Sequence, residues 1–104
     1  MAECAFLIVR CALAGSQYHG LAEVGARMAP GDRLELLREP ENRHDPAAVR
    51  VLWQGRQIGY LPRALNPPLA AALDAGIALH ARVSALRLAA TPWERVELAV
   101  YAPL

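Results

Sequence analysis

At 104 residues the chain can build one hydrophobic core but not two, and a hydrophobic content of 55% excludes a disordered segment. Eleven basic against ten acidic residues leave a formal charge of +1, which excludes a protein that holds nucleic acid by bulk charge alone. Every basic residue is arginine, a planar fork suited to bidentate phosphate contacts and to stacking on bases, although abundant Ala and Leu without Lys is also what a GC-rich genome produces.

Residues 4–13 are apolar and rich in branched side chains with Arg10 as the single charge, the pattern of a strand buried on both faces. The apolar run 5–9 follows Glu3 and is cut by Arg10. It fits neither a signal peptide nor a membrane span, so a cytoplasmic protein with no membrane partner is expected. Cys4 and Cys11 would face opposite sides of that strand, and no CxxC or HxxxH spacing accompanies them. They are read as small buried hydrophobes in a reducing compartment, with no metal and no cofactor.

Ala14-Gly15-Ser16 signals a turn, followed directly by Gln17-Tyr18-His19-Gly20. Residues 21–28 fit a short helix or a loop, Gly25 weakening the helix. Pro30-Gly31-Asp32 is a turn, and residues 33–37 alternate with Leu34 and Leu36 on one face. Next comes the richest stretch, LLREPENRHDPAAVRV over 36–51. Pro40 and Pro46 fix their own φ and push Glu39 and Asp45 toward extended geometry, which predicts a stiff polar loop between two strands. Ala47, Val49, Val51 and Trp53 then share a face, and Gln54-Gly55-Arg56 turns the chain into a second strand at 57–61, a hairpin ended by Pro62.

A helix is predicted over 66–75, with Asn66 as N-cap, Pro67 at the first helical position and Gly76 at C′. Leu65, Leu69 and Leu73 recur on one of its faces. Residues 79–88 return to period two, with Leu79, Ala81, Val83 and Ala85 opposite His80, Arg82, Ser84 and Leu86. Thr91-Pro92-Trp93-Glu94 is a turn, and Val96, Leu98 and Val100 alternate in a closing strand. About six short strands and one helix, without repeat or linker, predict a single domain over 1–104. Its fold class is mainly β, a small OB-like or SH3-like barrel with the helix as plug or lid.

Three polar clusters stand at strand ends: Gln17-Tyr18-His19, Arg43-His44-Asp45 and Tyr60-Leu61-Pro62-Arg63. Tyr18, His44 and Tyr60 can offer flat surfaces to single-stranded nucleic acid, where stacking contributes about 1–3 kcal/mol per base. Arg43 and Arg63 can meet phosphates. The same residues also fit blander roles: Tyr18 and Tyr60 as core rings with a hydroxyl at the rim, His44 as a loop residue, Asp45-Pro46 as a turn starter. Arg38, Arg50 and Arg56 read as solvated charges. From the residues alone, nucleic-acid binding stands beside small-molecule binding and a purely structural role.

Four segments together resemble the HIRAN domain: AGSQYHG (14–20), LLREPENRHDPAAVRV (36–51), QIGYLPRALNPPLAAALDAG (57–76) and the closing strands. The pairing of REPxNxxDPxAV with IGYLPR is specific, where neither half alone would be. The resemblance implies an OB-like barrel that binds the 3′ end of single-stranded DNA. In that likeness Tyr18 stacks on the terminal base, His44 takes a second stacking position, and Asp45 accepts a hydrogen bond from the 3′-hydroxyl. Arg63 meets phosphate, and at Gly15 the main chain approaches the nucleotide. Gln17 stands where a DNA-binding member has Arg, His44 replaces a Tyr, and Tyr60 occupies a position that can carry His. Those departures imply weaker binding than in eukaryotic members, or a different preferred end. Single-stranded DNA is the expected partner, with a DNA-processing protein as a further one.

Two other classes compete. An enzyme would use His44 with Asp45, but adjacent residues in extended chain point to opposite sides, and no Ser or Cys nucleophile, metal cluster or Gly-rich phosphate loop accompanies them. No enzymatic activity is expected, although helicase-fused members lend the family a hydrolase label. An adaptor that takes a protein partner along a strand edge is the third reading.

Overall fold

The computed structural model describes residues 5–87 and 95–103; the side chains of Ala5 and Gln17, the residue Cys4 and the turn expected at 91–94 lie outside what it describes. Six strands, β1 (Ala5–Ala12), β2 (Arg33–Arg38), β3 (Val49–Trp53), β4 (Arg56–Tyr60), β5 (His80–Leu86) and β6 (Val96–Pro103), form one antiparallel sheet in the order β1-β6-β5-β2-β3-β4. Strand β2 serves two neighbours. Arg33 and Leu34 pair with Arg82 and Ala81 of β5, while the segment from Glu35 to Arg38 pairs with β3.

The sheet curls until its edges meet at one place. Just beyond β1, Ala14 forms a single bridge with Tyr60 of β4, each backbone N–H donating to the other's carbonyl at 2.9 Å. Elsewhere β1 and β4 remain unpaired with each other, so the mainly β fold stands as expected while the ladder is not closed into a barrel. Leu13, Val49, Val51, Ile58, Leu61, Leu98 and Val100 fill the inside of the curl, each at 1% exposure or less.

The hairpin predicted after Trp53 forms with a two-residue turn, Gln54 and Gly55 both at positive φ (47° and 79°), and Trp53 pairs with Arg56. Residues 21–28 resolve into a one-turn helix α1 (Leu21–Val24) and a 3-10 turn (Gly25–Arg27). Helix α2 spans Asn66–Asp74 and ends with Gly76 at C′, where Gly76 N–H donates to Leu73 O and Ile77 N–H to Ala72 O. Its N-cap is Leu65, without a side-chain cap bond. The Asn66 amide is engaged elsewhere, which is why the expected cap does not form.

Strand β1 is not buried on both faces. Phe6, Leu7 and Ile8 are 50%, 40% and 42% exposed, because β1 is an edge strand paired with β6 alone and carries a bulge between Leu7 and Val9. Cys11 does behave as a buried hydrophobe. Burial, with the Glu97 charge adding to it, pushes its thiol up to about 11. A second bulge, between Val83 and Ala85, reverses the faces of β5 beyond it, so Leu86 packs against the core where strict alternation predicts Ala85.

Candidate functional site

The loop between β2 and β3 is shaped by its side chains as much as by its prolines. Asn42 Oδ1 accepts from the backbone N–H groups of His44 (2.8 Å) and Asp45 (3.0 Å), and its Nδ2 donates to Glu39 Oε1 at 2.7 Å. Asp45 Oδ1 accepts from Ala47 N at 3.0 Å, a turn of the kind Asx residues make with their own backbone. The segment is therefore a run of bends and turns, not extended chain. His44 and Asp45 accordingly line one groove together, contrary to the opposite-sided placement expected of extended neighbours.

Arg38 anchors this loop from below. Its Nη1 and Nη2 donate to the carbonyls of Ala48 (2.8 Å) and Pro46 (2.9 Å), and its Nε pairs with Asp74 of α2 at 2.9 Å. It is a clamp between loop and helix, and the solvated charge expected from sequence is not what folds. Arg50 is likewise engaged, on Gln57 Oε1 at 2.9 Å and near Glu39, and Arg56 pairs with Glu23.

The groove encloses about 380 Å³ and opens where the Ala14–Tyr60 bridge, the polar loop and the start of α2 converge. Gly15, His44, Asp45, Tyr60 and Arg63 line it, five of the eight residues singled out from sequence. Tyr18, 79% exposed, stands in the 3-10 turn Ser16–Tyr18, between groove-lining Gly15 and His19. Arg43 is exposed and is not among the lining residues, and the Gln17 side chain lies outside the described residues. Gly15 has φ 69°, a left-handed conformation that glycine adopts without strain, so its identity has a backbone reason.

Besides Arg38 and Asn42, sequence reasoning left His19, Glu39 and Asn66 out of the wall and its support. His19 meets Tyr60 edge-on, ring centres 5.4 Å apart. Tyr60 in turn donates its hydroxyl to Glu39 Oε1 at 2.8 Å, so this half-buried ring is tied into the wall more firmly than a free stacking surface would be. Asn66, 2% exposed, donates through Nδ2 to Asp45 Oδ2 at 2.7 Å, and its buried Oδ1 has no hydrogen-bond partner among the described residues. The helix-start signal at Asn66 concealed that role. Across the mouth, Arg63 Nη2 donates to the His44 carbonyl at 2.9 Å while its side chain stays exposed.

Glu39 is a partly buried carboxylate of the wall. Hydrogen bonds from Asn42 and Tyr60, with the Arg50 and His19 charges nearby, hold its carboxyl below the usual glutamate range. Burial and the bond to Glu39 push the Tyr60 phenol up. A depressed folded pKa contributes stability that is present above the unfolded value, about 4.3, and is lost as pH falls through the folded one. Glu39→Gln is therefore expected to narrow the stability gap between neutral and acidic pH relative to the unsubstituted chain. Urea midpoints for both proteins at pH 7 and pH 3 check this, and identical pH profiles would contradict it.

Among the described residues no three His, Cys, Asp or Glu side chains cluster as a metal site, and no helix is long and apolar enough to cross a membrane. The recorded partners of the Asp45 carboxylate are Ala47 N and Asn66 Nδ2, not the His44 imidazole. The arrangement offers a carboxylate with spare acceptor positions, an exposed ring and a cation at the rim.

Comparison with known proteins agrees with the resemblance drawn from the motifs. The HIRAN domain family model matches residues 7–104. A Fanconi-associated nuclease 1 homolog from Oryza sativa subsp. japonica is 36% identical over 72 residues, 65% of this chain. The chain spans only 7% of that protein's length. Among solved structures, a protein from Lactobacillus plantarum superposes with a TM-score of 0.85 at 23% identity, covering 97% of each chain. The HIRAN domain of human HLTF superposes at 0.68 and 19% identity, covering 96% of this chain and 81% of that one.

Proposed function

The chain belongs to the HIRAN domain family, and on that footing we propose that it is a non-enzymatic module that binds single-stranded DNA at a free 3′ end. The observation that carries this reading is Tyr18. A large aromatic ring left 79% exposed beside a groove has no packing role that would account for it, and a terminal base is the flat, apolar surface that fits it. Asp45 supplies the second contact. Each of its oxygens already accepts one hydrogen bond, and a carboxylate has room for about four. A sugar hydroxyl can donate to the remainder, while a terminal phosphate is repelled. Arg63 and Arg43 stand outside as cations for the backbone, and His44 lies along the strand's path. The curl of the sheet, pinned at the Ala14–Tyr60 bridge, gives a barrel-like cradle for that path.

Tyr18→Ala tests the reading. The ring is exposed, so stability should change by less than about 0.5 kcal/mol. Affinity for a short single strand with a free 3′-hydroxyl should fall by about 5- to 150-fold, the loss of one stacked base at about 1–3 kcal/mol. Unchanged fluorescence anisotropy titrations would remove the ring from the site. A second reading rests on β1: the exposed Phe6, Leu7 and Ile8 of an edge strand suit a protein partner added as a further strand, with the domain acting as an adaptor in DNA processing. A single strand that binds at no end with measurable affinity would favour that reading.

A further inference from the structure

Strand register aligns three arginines that the groove does not use. Arg10 of β1 pairs with Ala99 of β6, Ala99 is opposite Arg82 of β5, and Arg82 pairs with Arg33 of β2. Directly opposed residues on antiparallel strands project from the same face. The neighbours of Ala99 along β6, Leu98 and Val100, point into the core, so this row lies on the outside of the sheet. All three arginines are exposed, while Ala99 between Arg10 and Arg82 is 1% exposed. With strands about 4.8 Å apart, the row crosses about 14 Å.

None of the three makes an ion pair among the described residues, where Arg38, Arg50 and Arg56 do. Arg82 is fixed in place, its Nη1 donating to the Gly31 carbonyl at 3.0 Å. Two carboxylates flank the row on this face. Glu97 is engaged by the Ser84 hydroxyl at 2.8 Å, and Glu35 lies two residues beyond Arg33 on β2. The rings beside the row, Tyr101 and His80, are paired with each other across β6 and β5 and are both partly buried.

We propose that this row is a track for the phosphate backbone of duplex DNA. Three unpaired guanidiniums complement a line of phosphates, and a duplex presents its phosphates outward while hiding its bases. A face with cations in a row and, among the described residues, no freely exposed ring beside them suits a duplex better than a single strand, which needs stacking surfaces. The row shares no residue with the groove, so this inference stands or falls apart from the 3′-end reading.

The test uses a closed DNA dumbbell, a duplex with no free end for the groove, titrated between 50 and 200 mM salt. Each phosphate contact contributes a slope of about −0.9 in log affinity against log salt, so three contacts weaken binding by about 40-fold across that range. The combined variant Arg10→Gln, Arg33→Gln, Arg82→Gln should flatten the slope by about 2–3, and the corresponding Lys variant should restore it. Neither should alter binding of a single strand through its 3′ end. Because Arg82 also holds the Gly31 carbonyl, Arg10→Gln and Arg33→Gln alone, each flattening the slope by about 0.9, decide the matter if the triple variant does not fold. An unchanged slope in the folded Gln variants, no binding of the dumbbell by the unsubstituted protein at 50 mM salt, or equal loss of dumbbell and 3′-end binding would each overturn the track. If the single strand fails to bind the unsubstituted protein while the dumbbell behaves as stated, the groove reading falls and the track stands.

Discussion

Asp45→Asn is expected to leave the domain folded and to lower its affinity for a strand with a free 3′-hydroxyl by about 10- to 150-fold. The folding half of that expectation rests on Asn66. In the native wall Asn66 Nδ2 donates to Asp45 Oδ2, and its own buried Oδ1 has no partner among the described residues. An amide at position 45 would place donor against donor, but rotation of the Asn66 amide turns its orphan oxygen toward the new N–H. The Ala47 N–H keeps its acceptor, since an Asn side chain closes the same turn. What disappears is the negative charge. A hydrogen bond to a charged group contributes about 1.5–3 kcal/mol, which sets the loss of affinity. Preference for a 3′-hydroxyl over a 3′-phosphate should vanish with it. Urea denaturation and anisotropy on the same preparation check both halves; a folded variant that still binds like the unsubstituted protein would remove Asp45 from recognition.

The largest effect on stability is expected at Gly59. A Cβ there would lie 2.5 Å from the Ala14 carbonyl oxygen and 2.8 and 2.9 Å from Cγ and Cδ1 of Leu13. Neither neighbour can give way. Leu13 is 1% exposed in the core, and Ala14 O accepts the Tyr60 N–H that joins the sheet's two edges. Overpacking of a tight core commonly costs 1–3 kcal/mol, and contact with backbone places Gly59→Ala at the upper end, about 3 kcal/mol. Thermal unfolding should move down by roughly 12–24 °C for a domain of this size. The groove should loosen as well, because groove-lining Tyr60 is one partner of the disturbed bridge and Gly15 adjoins the other. A melting temperature within 2 °C of the unsubstituted protein would show that the strands can separate without loss.

Much of this is legible without coordinates, for identifiable reasons. Trp53-Gln54-Gly55-Arg56 announces a hairpin because the turn chemistry is local, and Gly76 announces the helix end for the same reason. The polar loop declares itself through the density of side chains between two alternating runs. What fails is whatever depends on a distant neighbour. The apolar run from Phe6 to Ile8 reads as buried because composition does not say that β1 lies at an edge, and the bulge before Ala85 shifts a face that strict alternation assigns the other way. Asn66 occupies a plausible capping position, yet its amide answers to Asp45, 21 residues earlier in the chain. Arg38 looks like surface charge until the loop carbonyls and Asp74 converge on it. Candidate recognition residues are easier to find than the residues that hold them, since the former cluster in sequence and the latter assemble in space.

The most direct measurement is an anisotropy titration of this protein with one short single strand in three forms: free 3′-hydroxyl, 3′-phosphate, and the same 3′ end buried in a duplex. Recognition by Tyr18 and Asp45 predicts tight binding of the first, at least tenfold weaker binding of the second, and loss of end-dependent binding in the third. Equal affinity for all three, falling steeply and identically with salt, would reduce the groove to generic phosphate contact and contradict end recognition.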